Sequence, residues 1–415
     1  MENKVALHIG VFDDSYLYMR EARALGYKIV ATHPMEIKDK YYYHTVKDMI
    51  DEFYIIDYMD VNSLVQLAKS CGAEMTITHP CTNDASMAMA CVNTRMKWNG
   101  IGETAAKFCA SKEAWQELLV EQDLPRPKWS YRYDKLTDLS SLTYPCIVKP
   151  NYGAGSNGIK KIDSAEELET FMRERDRSNG WNLNKNYDYY LVQEYTHADY
   201  FSGVNCYVQD GIIHPYTHYA RDQKSKLEQE RLPYFYYEEG LFPSDSKFIT
   251  QEVLDILQHL ANVLEIKNGA LRTEFFYDND LNIINVIETN LRPGSSHTAT
   301  SFHEIYGYNV TQQLVKLNSP DLKADFTRKH NTQYKYSLGK QFRFKPGTIE
   351  SIKWPELNEH VHHFSSTLHA GSKIPKYWNA SVGHQNGQLI LLGETVEQVY
   401  QQLDQFTKNI KIQYA

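Results

Sequence analysis

Two adjacent strand-like segments carry charged residues inside otherwise apolar runs, and this pattern constrains the fold more than any other feature of the chain. The first covers residues 270–277 and the second residues 283–294, with Asp278-Asn279-Asp280 as a turn between them. Side chains alternate across a strand. Each segment therefore places two polar side chains on one face: Arg272 and Glu274 in the first, Glu288 and Asn290 in the second.

These polar side chains need compensation if they are buried, because a charge among Phe, Ile and Val is costly without a partner. Carboxylate and amide oxygens are hard ligands that suit Mg²⁺ or Mn²⁺. We therefore predict that Glu274, Glu288 and Asn290 are metal ligands. The alternative is an ordinary hairpin whose polar face lies in water.

The metal hypothesis requires a particular parity of strand pairing. Glu274 and Glu288 face the same side only if the pairing centre falls on a residue such as Asp280, which demands an odd-numbered loop or a bulge. A two-residue Asn279-Asp280 turn would place the two acids on opposite faces and would contradict the hypothesis.

A second candidate site is a glycine-rich turn between two strand-like runs. Lys149 lies near the end of the run 147–150, the turn covers residues 151–158, and the run 159–162 follows. Glycine exposes backbone N–H groups that can cradle phosphate oxygens. The lysine precedes the glycines and a strand follows them, so the segment is not a P-loop. The alternative is a glycine hairpin with a surface lysine.

A third segment of interest is the strand-like run 190–195, which ends in Gln193-Glu194-Tyr195 before a polar stretch. Backbone groups of such a strand can pair with the edge of a purine, and Tyr195 can flank the ring.

Residues 1 to about 105 alternate short apolar runs with amphipathic stretches, which is typical of a parallel sheet covered by helices. The turn after the first strand contains Gly10 but lacks the G-x-G-x-x-G run, so we place no dinucleotide there. The predicted elements are strands at Val5–Ile9, Lys28–Thr32 and Met75–Thr78, and helices at 14–25, 61–69 and 84–92.

Beyond this region, helices are predicted from Ser111 to a stiff connector at 124–127 and over 251–264. Near the end of the chain a strand at Leu389–Leu392 precedes a helix. Thr395 and Gln398 form a capping box that opens this last helix.

Composition narrows the functional classes. Lys and Arg number 44 against 52 Asp and Glu, a formal net charge of −8, which repels phosphate backbones and argues against nucleic acid as a partner. No stretch of 18 apolar residues and no signal peptide is present, so we expect no membrane association. The six cysteines form no C-x-x-C pair, which favours reduced thiols and a cytoplasmic location.

In this order and spacing, the motifs resemble those of the ATP-grasp superfamily, whose members clamp ATP between two α+β subdomains. The resemblance covers most of residues 105–320. It implies an α/β and α+β chain with a Rossmann-like domain at 1–108, an ATP-grasp domain at 109–325 and a small α+β domain at 326–415. Within the ATP-grasp domain, a mobile glycine-loop lid is expected at about 128–190. The last domain is most similar to that of bacterial L-amino acid ligases.

The resemblance also implies roles for individual residues. Two Mg²⁺ ions, with Mn²⁺ as a possible substitute, would be held by Glu274, Glu288 and Asn290, and the catalytic residues would be Arg292 and Lys149. Arg292 would stabilise the transferring phosphoryl group. The nucleotide site would comprise Lys112, Lys149, Gly153, Gly155, Ser156, Gly158, Gln193, Glu194, Tyr195 and Asp199.

Two further regions are candidates for binding the ribose of ATP and the substrates. Family members often carry an acid for the ribose at the position of Phe201, and Asp199 is the substitute in this chain. The segment Leu232–Phe242 is a candidate substrate cover, and Lys224 and Lys226 are equally well explained as solvated charges. The substrate-binding residues are expected to be Arg221, Arg272, Arg292, Ser295, Ser296 and His297.

The activity implied is an ATP-dependent ligase that converts a small carboxylate, such as an amino acid, into an acyl phosphate and joins it to an amine, releasing ADP and phosphate. The partners would be these two small molecules, with a homodimer possible. Two alternatives stay open: a carboxylase of the same superfamily that uses bicarbonate, and a nucleotide-sensing protein without catalysis.

Overall fold

The structure of the chain is a computed structural model. It describes residues 4–12, 15–77, 83–153, 158–174, 189–222, 234–241, 247–293, 303, 305, 307–327, 333–342, 344–375 and 386–415. Within these ranges, no helix is both long enough and apolar enough to span a bilayer.

The N-terminal region is a four-stranded parallel sheet covered by helices, as the alternating pattern predicts. The strands lie side by side in the order β3-β2-β1-β4. The elements are β1 (Val5–Ile9), α1 (Ser15–Ala24), β2 (Lys28–His33), α2 (Tyr41–Val46), β3 (Glu52–Ile55), α3 (Val61–Ser70), β4 (Ala73–Ile77) and α4 (Asn83–Met96).

The sequence pattern did not predict α2 and β3. Strand β3 lies at the edge of the sheet and most of its side chains are exposed, so it lacks the apolar run that marks the inner strands. The inner strand β1 is buried at every position.

Two helices connect this region to the next: α5 (Glu103–Ala110) and α6 (Lys112–Glu121). Ser111 separates them. Its backbone is extended and its side chain accepts a hydrogen bond from the Ala114 amide, which caps α6. Trp115, Leu118 and Leu119 of α6 are buried in the same hydrophobic cluster as β1 and β4.

A small antiparallel sheet forms the predicted lid region. Its strands are ordered β5-β8-β6-β7 and comprise β5 (Ser130–Arg132), β6 (Cys146–Pro150), β7 (Lys160–Ile162) and β8 (Tyr190–Glu194), with α7 (Ala165–Glu174) packed on it. Its buried residues, among them Val148, Leu168 and Val192, form a hydrophobic cluster of their own. The lid region therefore has a core separate from that of the rest of the chain.

The central feature is an eight-stranded antiparallel sheet in the order β13-β12-β9-β10-β11-β14-β18-β16. Its first five members are β9 (Tyr200–Gln209), β10 (Ile212–Asp222), β11 (Tyr234–Leu241), β12 (Gly269–Tyr277) and β13 (Ile283–Asn290). Helices α8 (Gln251–Val263) and α9 (Val310–Asn318) accompany them. Residues of this sheet share hydrophobic clusters with the N-terminal sheet.

The C-terminal segment continues the central sheet rather than standing apart from it. Strand β14 (Tyr336–Phe342) pairs with β11, and β18 (Gln388–Gly393) and β16 (Val361–Ser365) follow. A separate three-stranded sheet contains β15 (Gly347–Lys353), β17 (Lys373–Ile374) and β19 (Lys411–Tyr414). The domain boundary near residue 325 stays a prediction.

The last helix, α10 (Val396–Lys408), is capped as the sequence predicts. The Thr395 side chain accepts from the Gln398 amide at 3.2 Å, and the Gln398 side chain accepts from the Glu394 amide at 2.7 Å. The second bond therefore reaches one residue before the cap.

Replacing Thr395 by Ala removes an N-cap acceptor, so we expect the free energy of unfolding to fall by about 1 kcal/mol. Denaturant unfolding followed by circular dichroism measures the change. Substitution of the exposed neighbour Glu397 by Gln is the control, and an equal loss in both variants would contradict the capping role.

Candidate active site at the junction of the lid and the acidic hairpin

Strands β12 and β13 form a hairpin, here called the acidic hairpin, that brings the two predicted acids directly opposite each other. Glu274 pairs with Glu288, and Arg272 pairs with Asn290 two positions along. Directly opposed residues of an antiparallel pair project to the same face. The four polar side chains thus share one face of the sheet edge, and the parity that the metal hypothesis requires is present.

The parity arises from the loop and from two bulges together. Tyr277 pairs with Ile283, which encloses a five-residue loop centred on Asp280. The register then shifts twice, once between Phe276 and Tyr277 and once between Glu274 and Phe275. Each bulge alone would reverse the facing of the side chains beyond it, and two restore it.

The polar face is only partly open to solvent. An Arg272 guanidinium nitrogen lies 3.2 Å from a Glu274 carboxylate oxygen, and these side chains are 12% and 15% exposed. The Asn290 amide donates to the Glu288 carboxylate at 2.9 Å. On the opposite face of β12, Phe275 is fully buried in the core. The hairpin is therefore not an ordinary one with its polar face in water.

Two lysines from different elements complete the charged cluster. Lys149 lies on β6 and is 6% exposed, and Lys112 begins α6. Burial, together with the charge of Lys112, lowers the pKa of Lys149 to about 7, while Glu288 opposes the shift. Burial also lowers the pKa of Lys112, again with Glu288 opposing.

Glu288 is the carboxylate at which these charges converge. Burial alone would raise its pKa, but Lys112, the Asn290 hydrogen bond, Lys149 and Arg272 together hold the pKa below its usual value. The cluster therefore combines a charge from α6, one from the lid sheet and one from β12 around one acid.

The glycine turn begins beside this cluster. The Lys112 ammonium donates to the Gly153 carbonyl at 3.1 Å. Gly153 and Gly158 both have positive φ, +145° and +73°, which favours glycine. Strands β6 and β7 pair antiparallel on either side of the turn, as predicted. Gly155 and Ser156 lie outside the described residues.

The predicted adenine segment ends β8. Gln193 is buried, and Glu194 accepts from the Lys128 amide at 2.7 Å while its carboxylate lies 3.5 Å from the Lys128 ammonium. The Tyr195 ring contacts the His197 ring with centroids 4.8 Å apart, and the Lys161 ammonium lies 5.2 Å from its centroid.

The two candidate positions for binding the ribose, 199 and 201, lie at the start of β9. The Asp199 amide donates to the Tyr277 carbonyl at 2.9 Å. Phe201 is buried in β9 and its ring packs edge-on against Phe276 at 5.8 Å. An apolar side chain in this position cannot hydrogen-bond a ribose hydroxyl, which leaves Asp199 as the candidate.

Of the predicted substrate residues, the structure describes the side chains of Arg272 and Arg292. Arg292 follows β13, is partly buried and donates to the Pro293 carbonyl at 3.2 Å. Arg221 lies in β10, but its side chain is outside the described part, as are Ser295, Ser296 and His297. Lys224 and Lys226 also lie outside it, and residues 234–241 of the predicted cover form β11 of the central sheet.

The acidic hairpin offers two carboxylates and one amide oxygen. Among the described residues, no group of three or more His, Cys, Asp or Glu side chains is placed to hold a metal ion. Mg²⁺ is usually bound through one or two carboxylates, with water and substrate phosphates completing the octahedron. The donor set of Glu274, Glu288 and Asn290 fits this mode and not an all-protein cage.

Sequence reasoning missed the residues that hold the lysines in place. Asn151, Tyr189 and Ser111 form a buried hydrogen-bond group at the start of α6. They are far apart in sequence and have no spacing pattern, so only the proximity of three segments identifies them.

The fold and this geometry agree with the comparisons to known proteins. The sequence profile of the ATP-grasp domain matches residues 142–300, which include the glycine turn and the acidic hairpin. The chain carries an ATP-grasp domain. The matched residues include strands β6 to β8 of the lid sheet and β9 to β13 of the eight-stranded sheet, and the parallel N-terminal sheet precedes them.

Two curated proteins are similar to this chain over part of their length. The mitochondrial methylcrotonoyl-CoA carboxylase subunit alpha of Dictyostelium discoideum is 25% identical over 167 residues, which are 36% of this chain and 23% of that protein. The D-alanine–D-alanine ligase of Francisella philomiragia is 23% identical over 193 residues, 45% of this chain and 58% of that protein. The chain thus spans less than two thirds of either relative.

Solved structures share the whole fold of this chain. An L-amino acid ligase from Bacillus licheniformis superposes with a TM-score of 0.76 at 17% identity, covering 100% of both chains. The biotin carboxylase domain dimer of Hydrogenobacter thermophilus 2-oxoglutarate carboxylase, a complex with MgADP and bicarbonate, gives 0.65 at 18% identity over 99% and 90%. That neighbour was solved with ADP and magnesium bound.

The lowered pKa of Lys149 predicts a pH-dependent contribution to stability. Between about pH 7 and pH 10.5 the unfolded lysine carries a proton that the folded lysine has largely released, so this contribution rises with pH. Below about pH 7 both states are protonated and this slope disappears.

The variant Lys149→Met lacks this contribution. Between about pH 7 and pH 9, the free energy of unfolding of wild type should therefore rise by about 2 kcal/mol relative to that of the variant. Urea unfolding of both proteins at the two pH values measures it. A Lys161→Met variant, at an exposed lysine of the same lid sheet, controls for the loss of a lysine. A difference independent of pH would show that Lys149 titrates normally.

Proposed function

We propose that this chain is an ATP-dependent carboxylate–amine ligase that forms an amide or peptide bond between small, amino-acid-like substrates and releases ADP and phosphate. The observation that supports the proposal best is the position of Glu288. This acid lies opposite Glu274, is hydrogen-bonded by Asn290, and has its pKa lowered by Lys112, Lys149 and Arg272. Such a cluster suits a polyphosphate, because the lysines and the arginine can neutralise its charge while the acids bind a metal ion that also contacts it.

The chemistry follows from the weakness of a carboxylate as an electrophile at neutral pH. Its oxygen attacks the γ-phosphorus of ATP, the bond to ADP breaks, and an acyl phosphate results. The amine then attacks the acyl carbon, loses a proton, and phosphate leaves. Phosphoryl transfer of this kind depends on alignment and charge neutralisation more than on a protein nucleophile.

The cations of the chain take the charge-neutralising role. Lys112 and Lys149 face the phosphate oxygens, and Arg292 stabilises the charge that develops on the transferring group. The glycine turn, including Gly155 and Ser156, closes over the phosphates with its backbone amides and excludes water from the acyl phosphate. The lid's separate hydrophobic core allows it to move as a unit.

Magnesium would be held by Glu274, Glu288 and Asn290, with Mn²⁺ able to replace it and two ions as the expected number. When bound, the metal neutralises phosphate charge and orients the phosphate chain. Gln193, Glu194 and Tyr195 surround the adenine, and Asp199 holds the ribose in the absence of an acid at Phe201.

The substrates are proposed from chemistry and likeness together. An arginine receives a carboxylate through two parallel hydrogen bonds, which suits Arg221, Arg272 and Arg292 for the acid substrate. Ser295, Ser296 and His297 begin three positions after Arg292 in the sequence and complete the proposed binding site for the amine. The whole-chain superposition on an L-amino acid ligase favours amino acids as both partners, and a homodimer is the proposed assembly.

A carboxylase activity is the second candidate, because one curated relative is a carboxylase subunit and one solved neighbour is a biotin carboxylase domain. In that case bicarbonate would replace the organic acid and a biotin nitrogen would replace the amine.

One experiment separates these functions. The purified chain is incubated with Mg·ATP and pools of amino acids, with phosphate release and product mass read together, and in parallel with bicarbonate and biotin. We expect phosphate release in step with a condensed product lighter by one water than its two substrates. Phosphate release only with bicarbonate and biotin would establish the carboxylase, and ATP binding without release in any pool would establish a sensor.

Replacing Glu288 by Gln keeps the shape of the side chain but removes the carboxylate charge. We expect kcat to fall at least about a hundredfold, since the group acts on charge that develops during phosphoryl transfer. The measurement is the rate of ADP formation, with circular dichroism to check the fold. The matched control is Glu359→Gln, at an acid that is 84% exposed, and near wild-type turnover in Glu288→Gln would refute the site.

Removal of divalent metal should abolish turnover. We expect ADP formation to cease in excess EDTA and to return on addition of Mg²⁺ or Mn²⁺ but not of Ca²⁺, since Ca²⁺ favours longer bonds and more ligands than this donor set supplies. Undiminished turnover in EDTA would contradict the assignment of Glu274, Glu288 and Asn290.

A further inference from the structure

Asn151, which follows the strand that carries Lys149, is a fully buried junction of three chain segments. It is 0% exposed. Its side-chain oxygen accepts from the Ser111 hydroxyl at 3.1 Å and from the Glu113 amide at 2.8 Å. Its backbone carbonyl accepts from the Lys112 backbone amide at 3.1 Å, and its backbone amide donates to the Tyr189 backbone carbonyl at 2.8 Å.

These bonds occupy the start of α6. The first helical N–H groups have no partner within a helix and must find one outside it. In this chain the amides of Lys112 and Glu113 bond to Asn151, and the Ala114 amide bonds to Ser111. The start of α6 therefore contributes the Lys112 side chain to the site and not its free amides.

The junction connects two parts with different cores. Asn151 and Tyr189 adjoin β6 and β8 of the lid sheet, whose apolar residues form their own cluster. Helix α6 belongs to the core of the main body through Trp115. The Tyr189 hydroxyl donates to the Glu113 carboxylate, and the Arg132 guanidinium lies 3.8 Å from the centroid of the Tyr189 ring.

The body side of α6 is attached to the acidic strand. The Trp115 indole N–H donates to the Val286 carbonyl at 3.3 Å, and the Val286 amide donates to the Pro125 carbonyl at 2.8 Å. Val286 lies two positions before Glu288 on β13. A continuous series of hydrogen bonds thus runs from the base of the glycine turn, through the first turn of α6, to the strand that carries the proposed metal ligands.

We propose that Asn151 is a positioning residue that fixes the base of the glycine turn and Lys112 to the acidic hairpin through α6. With this junction intact, the two lysines and Glu288 are held at one spacing, and nucleotide binding beside β6 also stabilises the first turn of α6. The inference rests on the proposed function in one respect: the ligand is taken to be Mg·ATP.

The test is the affinity for Mg·ATP, measured by isothermal titration calorimetry, which does not depend on turnover. We expect Asn151→Ala to raise Kd at least about tenfold, because loss of a buried acceptor of two hydrogen bonds releases the start of α6. The KM for the acid substrate should change less than about twofold, since Asn151 is not among the residues proposed to bind that substrate.

A milder variant guards against a failure to fold. Tyr189→Phe removes the hydroxyl that bonds Glu113 and keeps the ring beneath Arg132, so we expect Kd to rise about threefold. The matched control is Thr395→Ala, which also removes a helix N-cap acceptor but in α10. Its Kd should equal that of wild type.

Hydrogen exchange of the full chain reports the coupling itself. In wild type, Mg·ATP should slow amide exchange both in β6 and in the first turn of α6, and in Asn151→Ala it should slow exchange in β6 alone.

The outcomes separate this inference from the proposed function. If Asn151→Ala loses stability as Thr395→Ala does but keeps the wild-type Kd and exchange pattern, Asn151 is merely structural and the inference is wrong. If wild type binds Mg·ATP but ligates no pair of substrates, the ligase proposal fails while the changes in Kd still support Asn151. Wild-type protein without affinity for Mg·ATP would overturn both.

Discussion

The structure depends on the placing of a few partly buried charges at the junction of two sheets. Lys149 and Lys112 are held where burial lowers their pKa values, and the carboxylate of Glu288 offsets that burial. Like charges at close range are costly without a counter-charge. The cluster is therefore poised for a ligand that brings several negative oxygens, and every element around it serves to keep these side chains in position.

Two structural devices keep the charges in position. The first is the double bulge of β12 and β13, which allows a five-residue loop and a face-to-face pair of acids in the same hairpin. The second is α6, whose first turn bonds to the base of the glycine turn and whose Trp115 bonds to β13. The lid sheet keeps a separate core, so these bonds are specific connections between two parts of the chain with different cores.

The rest of the molecule explains why one fold can serve different substrates. The central sheet extends from the acidic hairpin through β11 into the C-terminal strands, so one continuous sheet joins the proposed metal ligands to the C-terminal segment. The L-amino acid ligase and the biotin carboxylase domain both superpose on the chain, although their names describe different reactions. Specificity in such a fold resides in the side chains at the rim of the sheet.

Sequence alone determined the class of the fold and the residues with charge. Alternation within strands fixed which side chains share a face, and glycines after a lysine marked the turn that is proposed to bind phosphate, because both patterns depend on local backbone geometry. The conditional prediction about parity was confirmed, although the sequence could not show that two bulges would satisfy it. The edge strand β3 and helices α2, α5, α7 and α9 were not predicted, since their apolar residues are few or their partners distant.

Tertiary structure decided how the separate motifs meet. Asn151, Ser111 and Tyr189 have no local pattern, and their function as a joint exists only because three distant segments converge at the start of α6. The pKa values of Lys112, Lys149 and Glu288 likewise depend on burial and on charges from other elements. Local backbone geometry depends on neighbouring residues and can be predicted from the sequence, whereas burial and long-range contacts arise only when the whole chain is packed.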